Sequence, residues 1–284
     1  AVYFYERECS IQRRHQKLVE ESPSTALNDD IRREMGETAV KIVQEAGYNN
    51  LGTVEFLYKD GNYYFLEMNT RLQVEHGVTE LVTGIDLVKL QIRIAAGEEL
   101  PIEQSDIRAH GWAFEARINA EDVLNNFTPN PGVIRLYREP SGPGVRIDSG
   151  VYEGYEVPGY YDPLIAKLMV WGFDRSEAVS RMRRALKEYR VVGIETSLPL
   201  HRKIFSDADF QAGRIDTGYL KDKLPRFIED ILSERALKLA LAAIGYKMLS
   251  VSTPVKEGRV AGRVRYGMSE WKRYGLYKLM GWLR

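Results

Sequence analysis

Two β-rich runs that flank a two-residue turn constrain the fold of this chain more than any other feature. Residues 53–58 and 63–68 are rich in β-branched and aromatic side chains, and Asp60-Gly61 between them favours a tight hairpin turn. The sequence therefore predicts a β-hairpin over residues 53–68. The register of this hairpin decides how the polar residues inside it can be used.

Two carboxylates interrupt these otherwise apolar strands. Glu55 and Glu67 lie on facing strands, where each costs free energy unless it is paired or coordinated. A two-residue loop pairs Glu55 with Leu66 and sends Glu67 to the opposite face, whereas a loop of odd length places both on one face. In the second case Asn69 joins them, and the three form an all-oxygen site suited to Mg²⁺ or Mn²⁺. The alternative is that either Glu faces solvent.

A polar alternation continues beyond the hairpin. Arg71, Gln73 and Glu75 keep the spacing of Glu67 and Asn69. A guanidinium matches a small oxyanion bidentately, and a neighbouring carboxylate can take a proton from that anion. A solvated edge strand alternates in the same way, so both interpretations stay open. The choice of residues favours an anion site with a base.

Helices and strands mix along the rest of the chain, which predicts an α+β fold. Residues 1–6 resemble a strand, and because native folds rarely begin in mid-strand we expect sequence upstream of Ala1. Asn28 and Asp29 favour a helix that ends at Gly47, and a second helix is expected from Asp86 to Ala96. Further along, a strand at 164–171 and a helix that begins at Asp174 or Ser176 and runs through Tyr189 are predicted.

Changes in composition predict three segments. Residues 1–106 and 107–224 form two domains, and residues 225–284 form a helical basic extension. Near its end the extension interleaves basic residues with aromatic ones, Trp271, Tyr274, Tyr277 and Trp282. Docking onto a partner or an anionic surface is one interpretation of that stretch, and packing onto the domain is the favoured one.

Composition excludes several classes of function. Forty basic and forty acidic residues give a formal net charge of +0, so no global charge favours nucleic acid or a membrane surface. A single cysteine excludes an internal disulfide framework and fits the cytoplasm. No apolar run is long enough to span a bilayer. Neither a P-loop nor a G-x-G-x-x-G motif is present, so a phosphate-cradling loop would have to lie outside these residues.

Three stretches of the sequence together resemble biotin carboxylase, the ATP-grasp component of biotin-dependent carboxylases such as acetyl-CoA, propionyl-CoA and pyruvate carboxylases. The Glu-Met-Asn-x-Arg core at 67–71 is shared with other ATP-grasp ligases, but its continuation through Gln73-Val74-Glu75-His76, joined to residues 12–17, is highly specific. The resemblance covers about residues 1–224, and its stretches are residues 6–17, 65–76 and 115–122, with weaker likeness at 159–162 and 219–220.

The resemblance implies the C-terminal half of an ATP-grasp domain followed by a biotin carboxylase C-terminal domain of short strands and helices. It also implies a role for each matching position. Glu55 and Glu67, with Asn69 nearby, would bind the metal on ATP. Glu75 would deprotonate bicarbonate, Arg71, Gln73 and Val74 would bind it, and Arg117 would stabilise the phosphorylated intermediate and the biotin enolate. Gln12, His15 and Lys17 would face the nucleotide or the bicarbonate, and Leu57 would pack near the adenine.

The implied reaction uses ATP, Mg²⁺ or Mn²⁺ and bicarbonate to form carboxyphosphate, which carboxylates N1 of biotin on a carrier. The implied partners are a biotin carboxyl carrier protein, a carboxyltransferase and a second copy of the chain. The family's glycine-rich lid and phosphate-binding lysines would precede Ala1, so we expect little ATP cleavage by this polypeptide alone. The family usually has Pro where this chain has Gly77, which is expected to loosen the loop that holds Glu75.

The sequence leaves two rival interpretations open. One is another ATP-grasp carbon–nitrogen ligase with a different acceptor. The other is a non-catalytic fragment that serves in assembly, since the family forms dimers through its C-terminal domain.

Overall fold

The computed structural model describes the backbone of residues 1–250 and the side chains of residues 1–247. The chain divides into two compact units, Ala1–Phe227 and Ile228–Arg284. The seven α-helices in the described residues are α1 (Asp29–Glu45), α2 (His76–Thr83), α3 (Leu87–Ala95), α4 (Arg175–Glu188), α5 (Leu198–Ile204), α6 (Ala208–Gln211) and α7 (Tyr219–Ser250).

The same described residues form thirteen strands, most of them short. They are β1 (Glu8–Arg13), β2 (Gln16–Ser22), β3 (Thr53–Lys59), β4 (Asn62–Asn69), β5 (Trp112–Asn119), β6 (Glu121–Asp122), β7 (Thr128–Pro129), β8 (Gly132–Val133), β9 (Leu136–Arg138), β10 (Val145–Ser149), β11 (Glu156–Val157), β12 (Leu164–Gly172) and β13 (Arg190–Val192). Eight of these strands, β5 to β12, follow one another without an α-helix between them. The mixture of helices and strands confirms the predicted α+β class.

An antiparallel five-stranded sheet in the order β1-β2-β5-β12-β10 forms the centre of the first unit. Helix α2 packs on one face of it, and helices α4 and α5 pack against β5 or β12. Because side chains alternate between the faces of a strand, neighbours in sequence separate. Phe114 faces Phe205 and Phe210, whereas Glu115 lies toward α2.

The sheet joins strands from both sides of residue 106, since β2 pairs with β5 from Val19↔Ala116 to Ser22↔Ala113. The segment boundaries near residues 106 and 224 stay predictions. Helix α7 runs through the start of the segment predicted to be helical from residue 225. The basic aromatic stretch from Trp271 to Trp282 lies outside the described residues.

The predicted first strand at residues 1–6 is wrong, because β1 begins at Glu8. In place of a strand ladder, the backbone of Tyr3 exchanges hydrogen bonds with the side chain of Gln104, at 2.9 Å each way. The ring of Tyr3 also fills the space beside Gly36. These contacts hold an aromatic, strand-like segment in an irregular extended conformation.

Three predicted helix starts are confirmed by their caps. The side chains of Asn28, Asp86 and Asp174 accept hydrogen bonds from the backbone N–H groups of Ile31, Lys89 and Glu177. Helix α2, which was not predicted, begins directly after Glu75 without a side-chain cap. Its first residues, His76-Gly77-Val78-Thr79, are all weak helix formers, so propensity gave no signal. Within the part of the chain that the structure describes, no helix has the length and apolarity needed to cross a membrane.

Candidate active site

The β3–β4 hairpin brings Glu55 and Glu67 directly opposite each other. The predicted two-residue loop is confirmed, since Lys59 pairs with Asn62 around Asp60-Gly61. A β-bulge between Glu55 and Phe56 shifts the register beyond it. At the bulge, Leu66 is an extra residue on β4 without a partner on β3. Glu55 therefore pairs with Glu67 and not with Leu66. The alternative left open by the sequence is thereby settled in favour of one shared face.

Asn69 lies between the two carboxylates. Its Nδ2 donates to Oε1 of Glu55 at 3.2 Å and to Oε1 of Glu67 at 3.1 Å, while its Oδ1 accepts from Arg71 at 3.3 Å. The amide thus presents N–H groups rather than its oxygen to the carboxylates. A half-turn of the amide would exchange the two, which makes three oxygen donors available on one face.

These donors fit a hard divalent cation that is also bound by phosphate oxygens. Within residues 1–247, no group of three His, Cys, Asp or Glu side chains is placed to hold a metal ion. Two carboxylates with an amide leave several positions of an octahedral Mg²⁺ or Mn²⁺ for substrate and water, as is usual at phosphate-transfer sites. The residues present therefore fit a metal held jointly by protein and nucleotide.

Glu75 is the most enclosed of the predicted site residues, with 2% of its surface exposed. Its Oε1 accepts from Nζ of Lys17 at 2.8 Å, and its Oε2 accepts from Nη2 of Arg117 at 2.9 Å. Burial alone would raise the pKa of Glu75. The charges of Arg7, Lys17 and Arg117 and the Lys17 hydrogen bond outweigh it and lower the pKa to about 2. Glu75 is therefore an ionised carboxylate at neutral pH.

Lys17 connects Glu75 to the hairpin carboxylates. Its Nζ also donates to Oε1 of Glu55 at 2.9 Å, and that oxygen accepts a further bond from Nε2 of Gln73 at 2.7 Å. Burial would lower the pKa of Lys17, but the neighbouring Cys9 and Glu75 groups and its hydrogen bonds raise it. The ammonium group therefore stays charged between the candidate metal ligands and the candidate base.

Arg117 is anchored through both its side chain and its backbone. Arg117 lies on β5, and its Nε donates to Oε1 of Glu20 at 2.6 Å while its Nη2 donates to Glu75. Its carbonyl oxygen accepts from Nε2 of His201 at 2.6 Å and from Oγ of Ser197 at 3.0 Å. Burial lowers the pKa of His201 to about 4, so this imidazole is neutral. Glu20, Ser197 and His201 were not predicted as site residues, because they lie far from Arg117 in the chain.

Arg7 is a further member of the site that was not predicted. Its guanidinium donates to Oε1 of Gln73 at 2.5 Å, to Oγ1 of Thr53 at 3.1 Å and to Oγ1 of Thr79 at 3.0 Å. Arg7 thus connects the hairpin, the segment after it and helix α2. The signal in the sequence was present, since Arg7 lies inside one of the stretches that carry the family resemblance.

The other predicted site residues lie at the edge of this network. Arg71 is exposed and donates to the backbone oxygen of Leu72 and to Asn69. Val74 contributes its carbonyl oxygen, which accepts from Lys167 at 2.9 Å. His15 is exposed at the turn between β1 and β2, beyond half-buried Gln12, and Leu57 is 52% exposed on β3. The roles of these residues stay predictions.

Gly77 supports Glu75 by close packing. Gly77 is buried in the first turn of α2, and a Cβ at this position would overlap Sδ of Met169. Met169 is fully buried and occupies the space that a side chain at position 77 would need. The expectation that Gly77 loosens a loop is therefore wrong, because the residue is in a helix and Met169 fills the gap.

Substituting Gly77 by Ala is expected to lower the free energy of unfolding by about 1–3 kcal/mol, since the new methyl overpacks against Met169. Met169→Ala is expected to cost about 2–5 kcal/mol by leaving a cavity. The double variant should be more stable than the sum of the two costs predicts, as measured by urea unfolding at pH 7. Strict additivity would show that the two side chains do not compete for one space.

Known families and relatives match this chain along most of its length. Residues 1–103 match the family model for the carbamoyl-phosphate synthase L chain, ATP binding domain, and residues 115–222 match the model for the biotin carboxylase C-terminal domain. One pyruvate carboxylase subunit, from Methanothermobacter thermautotrophicus, is 55% identical over 221 residues, which are 78% of this chain and 45% of that protein. Biotin carboxylase 1 of Bacillus subtilis is 52% identical over 222 residues, 78% of this chain and 49% of that protein.

Solved structures agree with these relatives. The biotin carboxylase domain of a thermophilic 2-oxoglutarate carboxylase, bound to bicarbonate, aligns with a TM-score of 0.78 at 49% identity, over 80% of this chain and 51% of that one. A dimer of the corresponding Hydrogenobacter thermophilus domain, in complex with MgADP, ADP and bicarbonate, aligns equally well over 80% of this chain and 50% of that one. The chain spans about half the length of the relatives it matches. By sequence and by fold, it belongs to the biotin carboxylase family.

Proposed function

We propose that this chain supplies the metal-, bicarbonate- and biotin-binding part of a biotin carboxylase. The observation that carries the proposal is Glu75, a buried carboxylate held between Lys17 and Arg117 and linked through Lys17 to the facing pair Glu55 and Glu67. The arrangement combines a base, two cations that suit an oxyanion, and oxygen donors for a nucleotide-bound metal. Solved relatives with bicarbonate and MgADP support these ligand classes.

In the proposed reaction, Glu75 takes the proton of bicarbonate while a bicarbonate oxygen attacks the γ-phosphorus of ATP. The bond from phosphorus to the bridging oxygen of ADP breaks, and carboxyphosphate forms. A divalent metal would neutralise charge on the phosphates. The bond from the carboxyl carbon to the phosphate oxygen then breaks as that carbon bonds to N1 of a carrier's biotin, and the departing phosphate takes the N1 proton.

The resting contacts explain how a carboxylate with such a low pKa can serve as a base. Lys17 and Arg117 lower the pKa of Glu75 by donating to it. An incoming bicarbonate anion competes for the same donors. As those hydrogen bonds move to the substrate, Glu75 loses part of its stabilisation and its affinity for a proton rises. The cations thus hold the base ionised until an anion is present.

The wider setting belongs to the same proposal. A carrier protein with biotin and a carboxyltransferase would be partners in a cytoplasmic complex, with the chain in a homodimer. The dimer of the Hydrogenobacter thermophilus relative supports that assembly. The family match at residues 115–222 favours biotin carboxylase over other ATP-grasp ligases.

Metal binding tests the proposal on the chain itself. Mn²⁺ added to the chain with ADP is expected to lose part of its free-ion electron paramagnetic resonance signal, because Glu55 and Glu67 bind it on one face. The double variant Glu55→Gln with Glu67→Gln should weaken binding by at least about tenfold, since it removes two anionic ligands. A matched control is Glu21→Gln, a buried carboxylate paired with Arg175. Equal Mn²⁺ affinity of the double variant and the control would refute the metal assignment.

A further inference from the structure

Two more carboxylates lie beneath Arg117, and the proposed reaction does not use them. Glu20 on β2 and Glu115 on β5 are each 0% exposed and are direct partners in the antiparallel ladder. Side chains of such partners project to the same face, with Cβ atoms about 5 Å apart. Two acids with no access to water thus adjoin each other.

The hydrogen bonds at this pair are incomplete. Oε1 of Glu20 accepts from Nε of Arg117 at 2.6 Å. Across residues 1–247, Oε2 of Glu20 and both oxygens of Glu115 have no hydrogen-bond partner. A buried ionised carboxylate without partners is strongly unfavourable, so two full negative charges here are not tenable.

The nearby cations are too few to neutralise a second ionised carboxylate in the Glu20–Glu115 pair. Arg117, Lys17 and Lys167 are the cations that act on the pair, and Glu75 adds a further negative charge. Lys167 is engaged by the carbonyl of Val74 at 2.9 Å and by Asp148 at 3.2 Å. Burial raises the pKa of Glu20 to about 7 against the effect of Arg117, and raises that of Glu115 well above its usual range. Cys9, the remaining titratable neighbour of Glu20, is a thiol whose pKa burial also raises.

We propose that Glu20 and Glu115 hold one proton between them at neutral pH, and that this pair positions Arg117 against Glu75. Glu115 is the acid, and its O–H donates to Oε2 of Glu20. One hydrogen bond thereby satisfies the free oxygen of Glu20 and one oxygen of Glu115. The single remaining charge lies on Glu20, where it holds Nε of Arg117 and leaves the Nη groups directed toward Glu75. The proton sharing stands by itself, whereas the positioning role rests on the proposed function.

Infrared spectroscopy of the chain at pH 8, where Glu20 with its pKa of about 7 is mostly ionised, tests the shared proton without any activity assay. A protonated buried acid gives a carbonyl stretch well above the carboxylate bands, and this stretch shifts in D₂O. We expect the band in the unsubstituted chain and in Glu21→Gln, and its loss in Glu115→Gln. Glu21 is a suitable control because it is the next residue on β2, 2% exposed, and paired with Arg175. Absence of the band from the unsubstituted chain would overturn the proposal even if a variant failed to fold.

The positioning role needs the complete site, made by joining this chain to the portion of Biotin carboxylase 1 of Bacillus subtilis that it does not match. Glu20→Gln removes the ionic partner of Arg117 and is expected to lower kcat for biotin carboxylation by about 10- to 100-fold, with little change in KM for ATP. Glu115→Gln preserves a hydrogen-bond donor and should lose much less. Equal losses in the two variants would refute the positioning role. The infrared band without any carboxylation in the unsubstituted fusion would instead contradict the proposed function.

Discussion

Glu75→Gln is expected to lower the rate of bicarbonate-dependent ATP cleavage by at least about 100-fold. The enzyme for this test is the fusion of this chain with the portion of Biotin carboxylase 1 of Bacillus subtilis that it does not match. The amide has the shape of the carboxylate, but it cannot accept the bicarbonate proton. Because Lys17 and Arg117 remain in place, bicarbonate should still bind. The loss should therefore appear in kcat rather than in KM for bicarbonate, measured by phosphate release at saturating ATP.

Loss of fold must be separated from loss of the base. Glu21→Gln removes a buried, ion-paired carboxylate on the far side of β2, so it is expected to keep activity while it lowers the melting temperature. Circular dichroism of both variants shows whether they fold. A folded Glu75→Gln enzyme with kcat within a few-fold of the parent would exclude Glu75 as the base.

Arg117→Met should have the largest effect on stability, about 3–5 kcal/mol at pH 7. Arg117 pairs with Glu20 at 2.6 Å and Glu75 at 2.9 Å, and its side chain is only 14% exposed. Its removal leaves buried carboxylates without a compensating charge, whereas the methionine retains most of the volume. Urea unfolding of the chain at pH 7 measures the cost.

The cost should depend on pH in a definite direction. The pKa of Glu20 is about 7 in the folded state against an ordinary value of 4.5, so between these values the folded chain binds the extra proton and stability falls as pH rises. Without Arg117 the pKa of Glu20 rises further, and the fall extends to higher pH. The deficit of Arg117→Met should therefore be larger at pH 8 than at pH 5.5. A deficit that is constant between these values would contradict burial of the carboxylate charge as its cause.

The local pattern of the sequence predicted the parts of this fold that local chemistry decides. The capping residues Asn28 and Asp86 correctly predicted where two helices begin, and Asp60-Gly61 correctly predicted the turn of the hairpin. The prediction of a strand at residues 1–6 was wrong because the contacts of Tyr3 are with Gln104 and Gly36, which lie outside that segment. Helix α2 was missed because its packing against the sheet outweighs weak propensity.

In the candidate site, too, local sequence predicted some residues, whereas others depend on contacts between distant parts of the chain. Glu55, Glu67 and Asn69 could be grouped by alternation, but the bulge that places them together is a tertiary detail, and loop length alone could not supply it. Glu75 was indicated as a base by the polar alternation and Arg117 by family resemblance alone, and their contact joins the segment after β4 to β5. Glu20, Ser197 and His201 were not predicted, because only their contacts with Arg117, far away in the chain, identify them as part of the site.

Carboxylation of free biotin tests the central claim most directly. The chain alone, and its fusion with the portion of Biotin carboxylase 1 of Bacillus subtilis that it does not match, are each given ATP, Mg²⁺, labelled bicarbonate and biotin. We predict acid-labile label on biotin from the fusion, its loss in Glu75→Gln, and little ATP cleavage by the chain alone. A folded fusion that forms no carboxybiotin would contradict the claim that these residues supply the bicarbonate and biotin site of a biotin carboxylase.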